Sequence, residues 1–174
     1  MIVRSYWSVG APDPNALPTL QQAAAGGIST RDVYHFPCAG VGAAQQIQDD
    51  VNAVGKGNFD TLWFDIETNY SPNCGWSSDL GSNCNFLQDM INEGNALGIN
   101  MGIYASSYMW GSIMGSGCTV GGNLPLWYAH YDGTRSFNDF APFGGWSSPT
   151  MKQYNDGSSI GGDCGISADA DYRV

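Results

Sequence analysis

Apolar segments with the character of β-strands alternate with helical segments through the first two-thirds of the chain, and this order limits the possible folds more than any other feature. The predicted strands cover residues 1–7, 31–38, 61–67 and 99–106. Most of them are apolar along almost their whole length, as strands are when helices cover a parallel sheet. The order therefore predicts parallel β/α units.

Helical spacing of apolar residues marks the segments between these strands. Residues 43–54 and 83–97 show it most clearly, and a glycine that stops a helix follows each of them. Residues 17–25 are rich in Ala and Gln, and a short helix is predicted over residues 108–114. We expect these helices to lie outside the sheet.

The last third has predicted strands at residues 125–131, 151–155 and 168–174, without convincing helices between them. This pattern fits an irregular, TIM-like (β/α) barrel of mostly parallel strands better than a doubly wound nucleotide-binding fold. The first strand is not followed by G-x-G-x-x-G, and no G-x-x-x-x-G-K-[ST] loop occurs, so nucleotides are not indicated. We expect one α/β domain over residues 1–174.

The composition limits the partners. The chain of 174 residues has a formal net charge of −10 and a sequence pI of about 4.1. Nucleic acids and anionic membrane surfaces attract clustered Lys and Arg, so neither is an expected partner. No apolar run is long enough to span a bilayer. The 24 Gly, 9 Tyr and 6 Trp are typical of a loop-rich extracellular protein with an aromatic cleft.

Five cysteines lie in Gly-, Ser- and Asn-rich loops: Cys38, Cys74, Cys84, Cys118 and Cys164. Because none forms a C-x-x-C pair and the chain has only 2 histidines, a zinc site is not expected. Disulfides in an oxidising compartment suit this pattern, with one cysteine left over. Cys74 and Cys84 are expected to form a local disulfide, although the sequence leaves other pairings open. We expect a secreted, lysosomal or phagosomal protein, although no signal peptide is visible at the N-terminus.

Two carboxylates, Asp65 and Glu67, end the third predicted strand in the stretch LWFDIE. Reactive residues of parallel β/α proteins cluster at the carboxyl ends of strands. Positions i and i+2 of a strand share a face, with Cα atoms roughly 6.5 Å apart, so both acids can enter one pocket. Two nearby acids in a partly dry site have separated pKa values, which leaves one protonated and one ionised. Cleavage of a glycosidic bond requires such a pair.

Simpler interpretations exist for these residues. Asp65 would then cap the following loop, and Glu67 would be a solvated residue at its rim. A divalent metal is a poorer fit, because no histidine or further acid is nearby. The apolar run before the acids and the aromatic residues at other strand ends favour the catalytic interpretation. His35, within an apolar strand, is interpreted as a core residue rather than a sugar ligand.

The motifs LWFDIE, GIYAS and LWYAHYDG, with MKQY and DADY near the end, resemble the family 25 glycoside hydrolases, lysozymes that cleave bacterial peptidoglycan. The similarity is greatest to the eukaryotic branch found in protists and invertebrates, and it extends over residues 2–172. The resemblance implies an N-acetylmuramidase that cleaves the β-1,4 bond between N-acetylmuramic acid and N-acetylglucosamine. It implies no metal or other cofactor, and a monomer whose partner is the peptidoglycan.

The resemblance also implies roles for the acids. Glu67 matches the general acid. Asp65 matches the carboxylate that orients the 2-acetamido group of the substrate, whose oxygen serves as the internal nucleophile of a retaining reaction. A third family acid lies on the last strand, where Asp169 fits best and Asp171 is the alternative.

Aromatic and amide residues complete the implied site. Tyr104 and Tyr128 match aromatic residues that line the sugar cleft, and Trp127, Tyr131 and Gln153 are expected neighbours. The simpler interpretation of each aromatic residue is ordinary barrel core.

The start of the chain departs from the family pattern. Family members begin with one more strand, which carries an Asp-x-Ser motif, whereas Met1 here stands at the second family strand. We expect a barrel without its first strand, in which the edge of residues 2–6 is open to pairing with another chain. The pocket would also lack one acid, and reduced lysozyme activity is the expected consequence.

Two alternative functions follow from other features. Family 18 chitinases carry D-x-x-D-x-D-x-E, and Asp60, Asp65 and Glu67 are in register with it, but Trp63 stands in place of the central acid. The non-enzymatic alternative is a lectin-like barrel that holds a glycan and turns it over slowly or not at all.

Overall fold

The computed structural model describes residues 1–157 and 168–174. The described part contains one eight-stranded sheet, four α-helices and a short 3-10 turn. The strands are β1 (Ile2–Trp7), β2 (Ala11–Pro12), β3 (Asp32–His35), β4 (Thr61–Asp65), β5 (Asn100–Ala105), β6 (Leu126–Ala129), β7 (Met151–Asn155) and β8 (Ala170–Arg173). The helices are α1 (Ala16–Ala25), α2 (Ala43–Val54), α3 (Leu80–Leu97) and α4 (Ser107–Ile113), and the 3-10 turn is Lys56–Asn58.

The sheet is mostly parallel. Its strand order is β2-β1-β3-β4-β5-β6-β7-β8, with parallel pairing from β1 through β7 and an antiparallel strand at each end. The predicted α/β class, with few helices in the last third, is confirmed. The short β2 and the antiparallel direction of β8 are additions that the sequence pattern does not indicate. No pairing between described residues joins β8 to β1 or β2.

Several predicted boundaries differ from those observed, and two of the differences concern the residues after β4. β4 ends at Asp65, so Glu67 lies two residues beyond the strand rather than within it. α3 begins at Leu80 because Asp79 caps it, with Oδ1 accepting from the backbone N–H groups of Gly81 and Ser82 at 3.0 and 3.4 Å. Such a cap satisfies N–H groups that have no partner within the helix.

The two faces of the sheet are packed differently, because successive side chains of a strand point to opposite sides. On β4, Leu62 and Phe64 point to the helix face, where they join the main hydrophobic core with residues of all four helices. Trp63 points to the other face, called here the open face, and packs with Tyr104 and Trp127. The open face therefore carries large aromatic side chains from three neighbouring strands.

Trp63 fits on the open face because β5 has a glycine beside it. A Cβ atom at Gly102 would lie only 2.4 Å from the Trp63 ring. The indole Nε1 donates a hydrogen bond of 3.1 Å to Asp32 Oδ2 on β3. The ring is therefore held in one position two residues before Asp65, on the same face of β4.

His35 is a core residue, in agreement with its sequence interpretation. Its side chain is fully buried. Its Nδ1 lies 2.7 Å from Asp50 Oδ2 and its Nε2 lies 2.9 Å from Gln46 Oε1, both on α2. Both ring nitrogens thus have partners inside the fold.

The disulfide prediction is wrong. Cys38 pairs with Cys74, and Cys84 pairs with Cys118, so Cys74 and Cys84 are not bonded to each other. Cys38 and Cys74 follow β3 and β4, which are adjacent parallel strands, and their loops therefore meet at one edge of the sheet. Cys164 lies outside the described residues.

None of the described helices combines the length and apolar character needed to cross a membrane.

Candidate active site

A cleft of about 800 Å³ runs along the open face and reaches the carboxyl ends of β4 and β5. It brings together every predicted site residue except Tyr128. Its lining residues are Met1, Ile2, Val3, Arg4, Thr19, Ile28, Tyr34, Asp65, Glu67, Tyr104, Trp127, Tyr131, Gln153, Ala168, Asp169 and Asp171.

Asp65 is the last residue of β4 and points into this cleft. It is only 5% exposed, and its Oδ1 has no hydrogen-bond partner among the described residues. Burial, and then the negative charge of Glu67, raise the pKa of Asp65 well above its usual range. A buried carboxyl without a partner costs free energy, so Oδ1 of Asp65 is suited to accept a hydrogen bond from a ligand.

Glu67 reaches the same cleft from the loop after β4. Its backbone is fixed on both sides, since the Ile66 N–H donates to Tyr104 O at 2.9 Å and the Glu67 carbonyl accepts from Trp76 Nε1 at 2.8 Å. Burial, and then the charge of Asp169, raise the pKa of the Glu67 carboxyl. Asp65 and Glu67 therefore form a pair of acids that both hold their protons more tightly than free carboxyls.

Gln153 on β7 is the centre of a hydrogen-bond network in the cleft. Its Oε1 accepts from the hydroxyls of Tyr104, at 2.5 Å, and Tyr131, at 2.9 Å. The two hydroxyls are 3.1 Å apart. Its Nε2 donates to Asp169 Oδ2 at 2.8 Å. The network links β5, the loop after β6, β7 and the residue before β8.

Tyr104 remains a hydrogen-bond donor in this network. Burial, and then the charge of Glu67, raise the pKa of its hydroxyl far above the usual range. The phenol is therefore neutral throughout the physiological range of pH.

Both candidates for the third acid line the cleft, but in different surroundings. Asp169 belongs to the Gln153 network, and its charge acts on Glu67. Asp171 Oδ1 accepts from Trp127 Nε1 at 2.8 Å, and loss of hydration together with the charge of Asp169 raises the pKa of Asp171 to about 6. Asp169 is thus the candidate whose charge acts directly on Glu67.

Tyr128 is not brought to the cleft. Its neighbour Trp127 points to the open face, so Tyr128 points to the helix face, as alternation along β6 requires. Its ring packs against Phe140, with centroids 5.2 Å apart, and its hydroxyl donates to Asp139 Oδ1 at 3.0 Å.

Sequence reasoning missed Arg4 and Tyr34, which line the cleft from β1 and β3. The register places Arg4 beside Tyr34 and Tyr34 beside Trp63, all on the open face. The alternation of side chains along β1 and β3 was the one sequence signal that could have placed Arg4 and Tyr34 on a common face. Only the register shows that their open faces adjoin the acids.

His130, Asp132 and Asp139 have the spacing of a metal site, with ligand atoms all within 4.8 Å of one another. Lys152 Nζ already lies 2.9 Å from a carboxylate oxygen of both acids, and its side chain is fully buried. A buried ammonium compensates these charges, so we interpret the cluster as an ion-pair network. It anchors the loop that carries Tyr131.

A mostly parallel β/α sheet with two neighbouring acids in an aromatic cleft at its strand ends is the arrangement expected of a glycoside hydrolase. A family model described as "Lys-1: Lysozyme-like protein 1" matches residues 1–154. The chain belongs to the glycoside hydrolase family 25 lysozymes, and the predicted resemblance and glycosidase class are confirmed.

Individual relatives agree with this assignment. "Probable GH family 25 lysozyme 2" of Dictyostelium discoideum is 42% identical over 175 residues, which cover 98% of this chain and 78% of the relative. "Lysozyme-like protein 5" of Caenorhabditis elegans is 37% identical over 177 residues, covering 99% and 79%. Among solved structures, a muramidase from Acremonium alcalophilum superposes with a TM-score of 0.79 at 20% identity, covering 99% and 81%.

Proposed function

We propose that the chain hydrolyses the β-1,4 bond between N-acetylmuramic acid and N-acetylglucosamine in bacterial peptidoglycan. The observation that carries the proposal is the pair Asp65 and Glu67, two carboxyls of raised pKa in one cleft. An acid that retains its proton can protonate a leaving oxygen, while a neighbouring carboxylate supports the cationic transition state. Membership of the lysozyme family supports the same substrate class.

Glu67 is the general acid of the proposed reaction. It donates its proton to the glycosidic oxygen as the bond from that oxygen to the anomeric carbon breaks. The raised pKa keeps this proton on the carboxyl at a higher pH than in a free glutamic acid. The Glu67 anion then accepts a proton from the water that completes hydrolysis.

Asp65 orients the substrate. Its unpartnered Oδ1 accepts the N–H of the 2-acetamido group, and the acetamide oxygen attacks the anomeric carbon on the side opposite the leaving group. The cyclic cation that forms is opened by water, which restores the acetamide. Two inversions leave the configuration of the anomeric carbon retained.

Binding of the acetamide also determines where the protons reside. The two carboxyls lie in one cleft and titrate as a pair, so their protonation states are linked. A hydrogen bond donated to Asp65 favours its anion. The remaining proton is then held by Glu67, where the leaving group needs it.

The aromatic side chains of the cleft suit the apolar faces of sugar rings. Trp127 and Tyr34 line it, and Tyr131 is about half exposed at its edge. Hydroxyl groups of Tyr104 and Tyr131, held by Gln153, add polar contacts for the glycan. Such a mixture of apolar walls and oriented polar groups is typical of small-molecule sites.

We also infer that the chain works outside the cytosol, either secreted or in a lysosomal or phagosomal compartment. The two disulfides between described cysteines support this, since such bonds persist in oxidising compartments. Comparison of cell fractions with an antibody to the chain tests the inference. A purely cytosolic distribution would contradict it.

The two alternative functions are less well supported. Trp63 occupies the position of the central family 18 acid, and its Nε1 donates to Asp32, so it supplies no carboxyl for chitinase chemistry. A lectin-like protein would bind glycan in the same cleft but would not depend on Glu67 for turnover.

The experiment compares hydrolysis of purified peptidoglycan by the wild type, Glu67→Gln and Glu93→Gln. Glu93 is the matched control because it is the other glutamate of the chain and lies on α3, where it accepts from Gln48 Nε2 at 2.9 Å. Loss of the general acid should reduce turnover by roughly 10²–10⁴-fold. The Glu93 variant should retain the wild-type rate. A Glu67→Gln protein that hydrolyses at close to the wild-type rate would refute the assignment.

A further inference from the structure

The charged residues that line the cleft are unequal in sign. Four are acids: Asp65, Glu67, Asp169 and Asp171. Among the described lining residues, Arg4 is the only lysine or arginine. In a chain with a net charge of −10, an anionic part of a ligand would be repelled from most of this surface.

Arg4 is held in a fixed position on β1. Its Nε donates to Asp13 Oδ2 at 3.1 Å, and its guanidinium carbon lies 5.5 Å from the centroid of the Trp7 ring. Asp13 is in turn fixed, since its Oδ1 accepts from the Asn15 N–H at 3.0 Å. These contacts restrain the arginine before any ligand arrives.

The end of the guanidinium remains available. Its side chain is 46% exposed, and neither Nη atom of Arg4 has a hydrogen bond to a described residue. Asp13 uses only Nε, so the two Nη groups keep the parallel N–H pair that matches the two oxygens of a carboxylate. The neighbouring Tyr34 places this group next to the aromatic part of the cleft.

We propose that Arg4 forms a carboxylate-binding subsite that takes the free carboxylates of the peptide stems on the glycan. This inference rests on the proposed function and names the part of the substrate that the cleft distinguishes. A neutral polymer of N-acetylglucosamine gains nothing from Arg4. A carboxylate-bearing glycan gains a paired contact at Arg4, and the acids Asp65, Glu67, Asp169 and Asp171 disfavour carboxylates placed beside them.

Binding to two forms of one substrate tests the subsite. The probes are peptidoglycan freed of teichoic acids, and the same material after its carboxyls have been converted to neutral methylamides with a carbodiimide. Co-sedimentation measures affinity in the Glu67→Gln background, in which slow turnover leaves the polymer intact. We expect Arg4→Gln to weaken binding to native peptidoglycan by about 3–10-fold. Binding to the amidated form should change by less than about twofold, since the carboxylate is absent from it.

Arg135→Gln is the matched control. Arg135 has the same two kinds of contact, a hydrogen bond from Nε to the Tyr154 hydroxyl at 3.0 Å and a guanidinium 5.4 Å from the Tyr154 ring, but it lies outside the cleft lining. Arg135→Gln should leave the affinities for native and amidated peptidoglycan unchanged. It alters the net charge by the same amount as Arg4→Gln, but at a position outside the cleft.

Each other outcome has a distinct meaning. Equal loss on both polymers from Arg4→Gln would assign Arg4 a structural role and overturn the subsite. No loss on either polymer would overturn it too. If the Glu67→Gln protein binds neither polymer, the subsite is overturned. Hydrolysis of peptidoglycan by the wild type then tests the proposed function separately. Normal hydrolysis supports the function although the subsite is refuted, and absence of hydrolysis refutes both.

Discussion

Gln153 Nε2 lies 2.8 Å from Asp169 Oδ2, and this hydrogen bond joins β7 to the residue that precedes β8. The Oε1 of the same amide accepts hydrogen bonds from the hydroxyls of Tyr104 and Tyr131. Its orientation is therefore determined, with oxygen toward the phenols and nitrogen toward the carboxylate. One buried side chain thus positions groups from four segments of the chain.

Replacement of Gln153 by Leu should lower kcat/KM for peptidoglycan by about 10–100-fold, because the tyrosine hydroxyls and Asp169 lose their shared partner. Stability should fall by about 1–3 kcal/mol, since the network is buried. Gln88→Leu on the exposed side of α3 is the control and should change neither. Steady-state kinetics and chemical denaturation measure the two effects.

Gln153→Glu provides a pH-dependent version of this prediction. The new carboxyl can donate to Asp169 only when it is protonated, so the variant should be closest to the wild type at low pH and lose activity as the pH rises. A variant whose activity relative to the wild type does not change with pH would contradict the assigned orientation of the amide.

The pH profile of hydrolysis should depend on Asp169. Its charge contributes to the raised pKa of Glu67, and activity is lost as the pH rises through that pKa because the general acid loses its proton. Asp169→Asn removes the charge, lowers the pKa of Glu67 and should shift this limb of the profile to lower pH. Asp89→Asn on α3 changes the net charge equally and should leave the limb in place. A shift of equal size in both variants would remove the specific role of Asp169.

The buried carboxyl of Asp65 should lower the free energy of unfolding at neutral pH. Its pKa is raised in the folded state, so ionisation costs more there than in the unfolded chain, and the penalty grows as the pH rises through the folded pKa. Asp65→Asn should therefore raise Tm at neutral pH, by about 2–4 °C for each kcal/mol of relief. At a pH below about 3 the carboxyl is protonated in both states, and this advantage should disappear. Thermal unfolding at both pH values checks the sign.

Gly102 should tolerate no side chain. A Cβ there would be 2.4 Å from the Trp63 ring, so Gly102→Ala should destabilise the protein by about 1–3 kcal/mol and reduce activity by moving the residues next to Asp65. Gly111→Ala is the matched control, because no atom lies within 4 Å of a Cβ at that position of α4. It should be neutral or stabilise by up to ~1 kcal/mol. Similar losses for both variants would contradict the packing argument.

Local patterns in the sequence determined most of the secondary structure and the centre of the site. The helical spacing of residues 43–54 predicted α2 with the bounds observed. The apolar run before Asp65 predicted β4, and the two acids at its end were identified as the candidate catalytic pair. These inferences succeed because periodicity and the position of a charge along a strand depend on neighbouring residues alone.

Contacts between distant segments were decided only by the tertiary structure. The partner of Cys74 is Cys38, because adjacent parallel strands bring their loops together. Tyr128 faces the helices, because Trp127 takes the open side of β6. Arg4 reaches the cleft through the register of β1 with β3. Register and the choice of face arise from packing across the whole sheet, and a shift of one residue would reverse every such assignment.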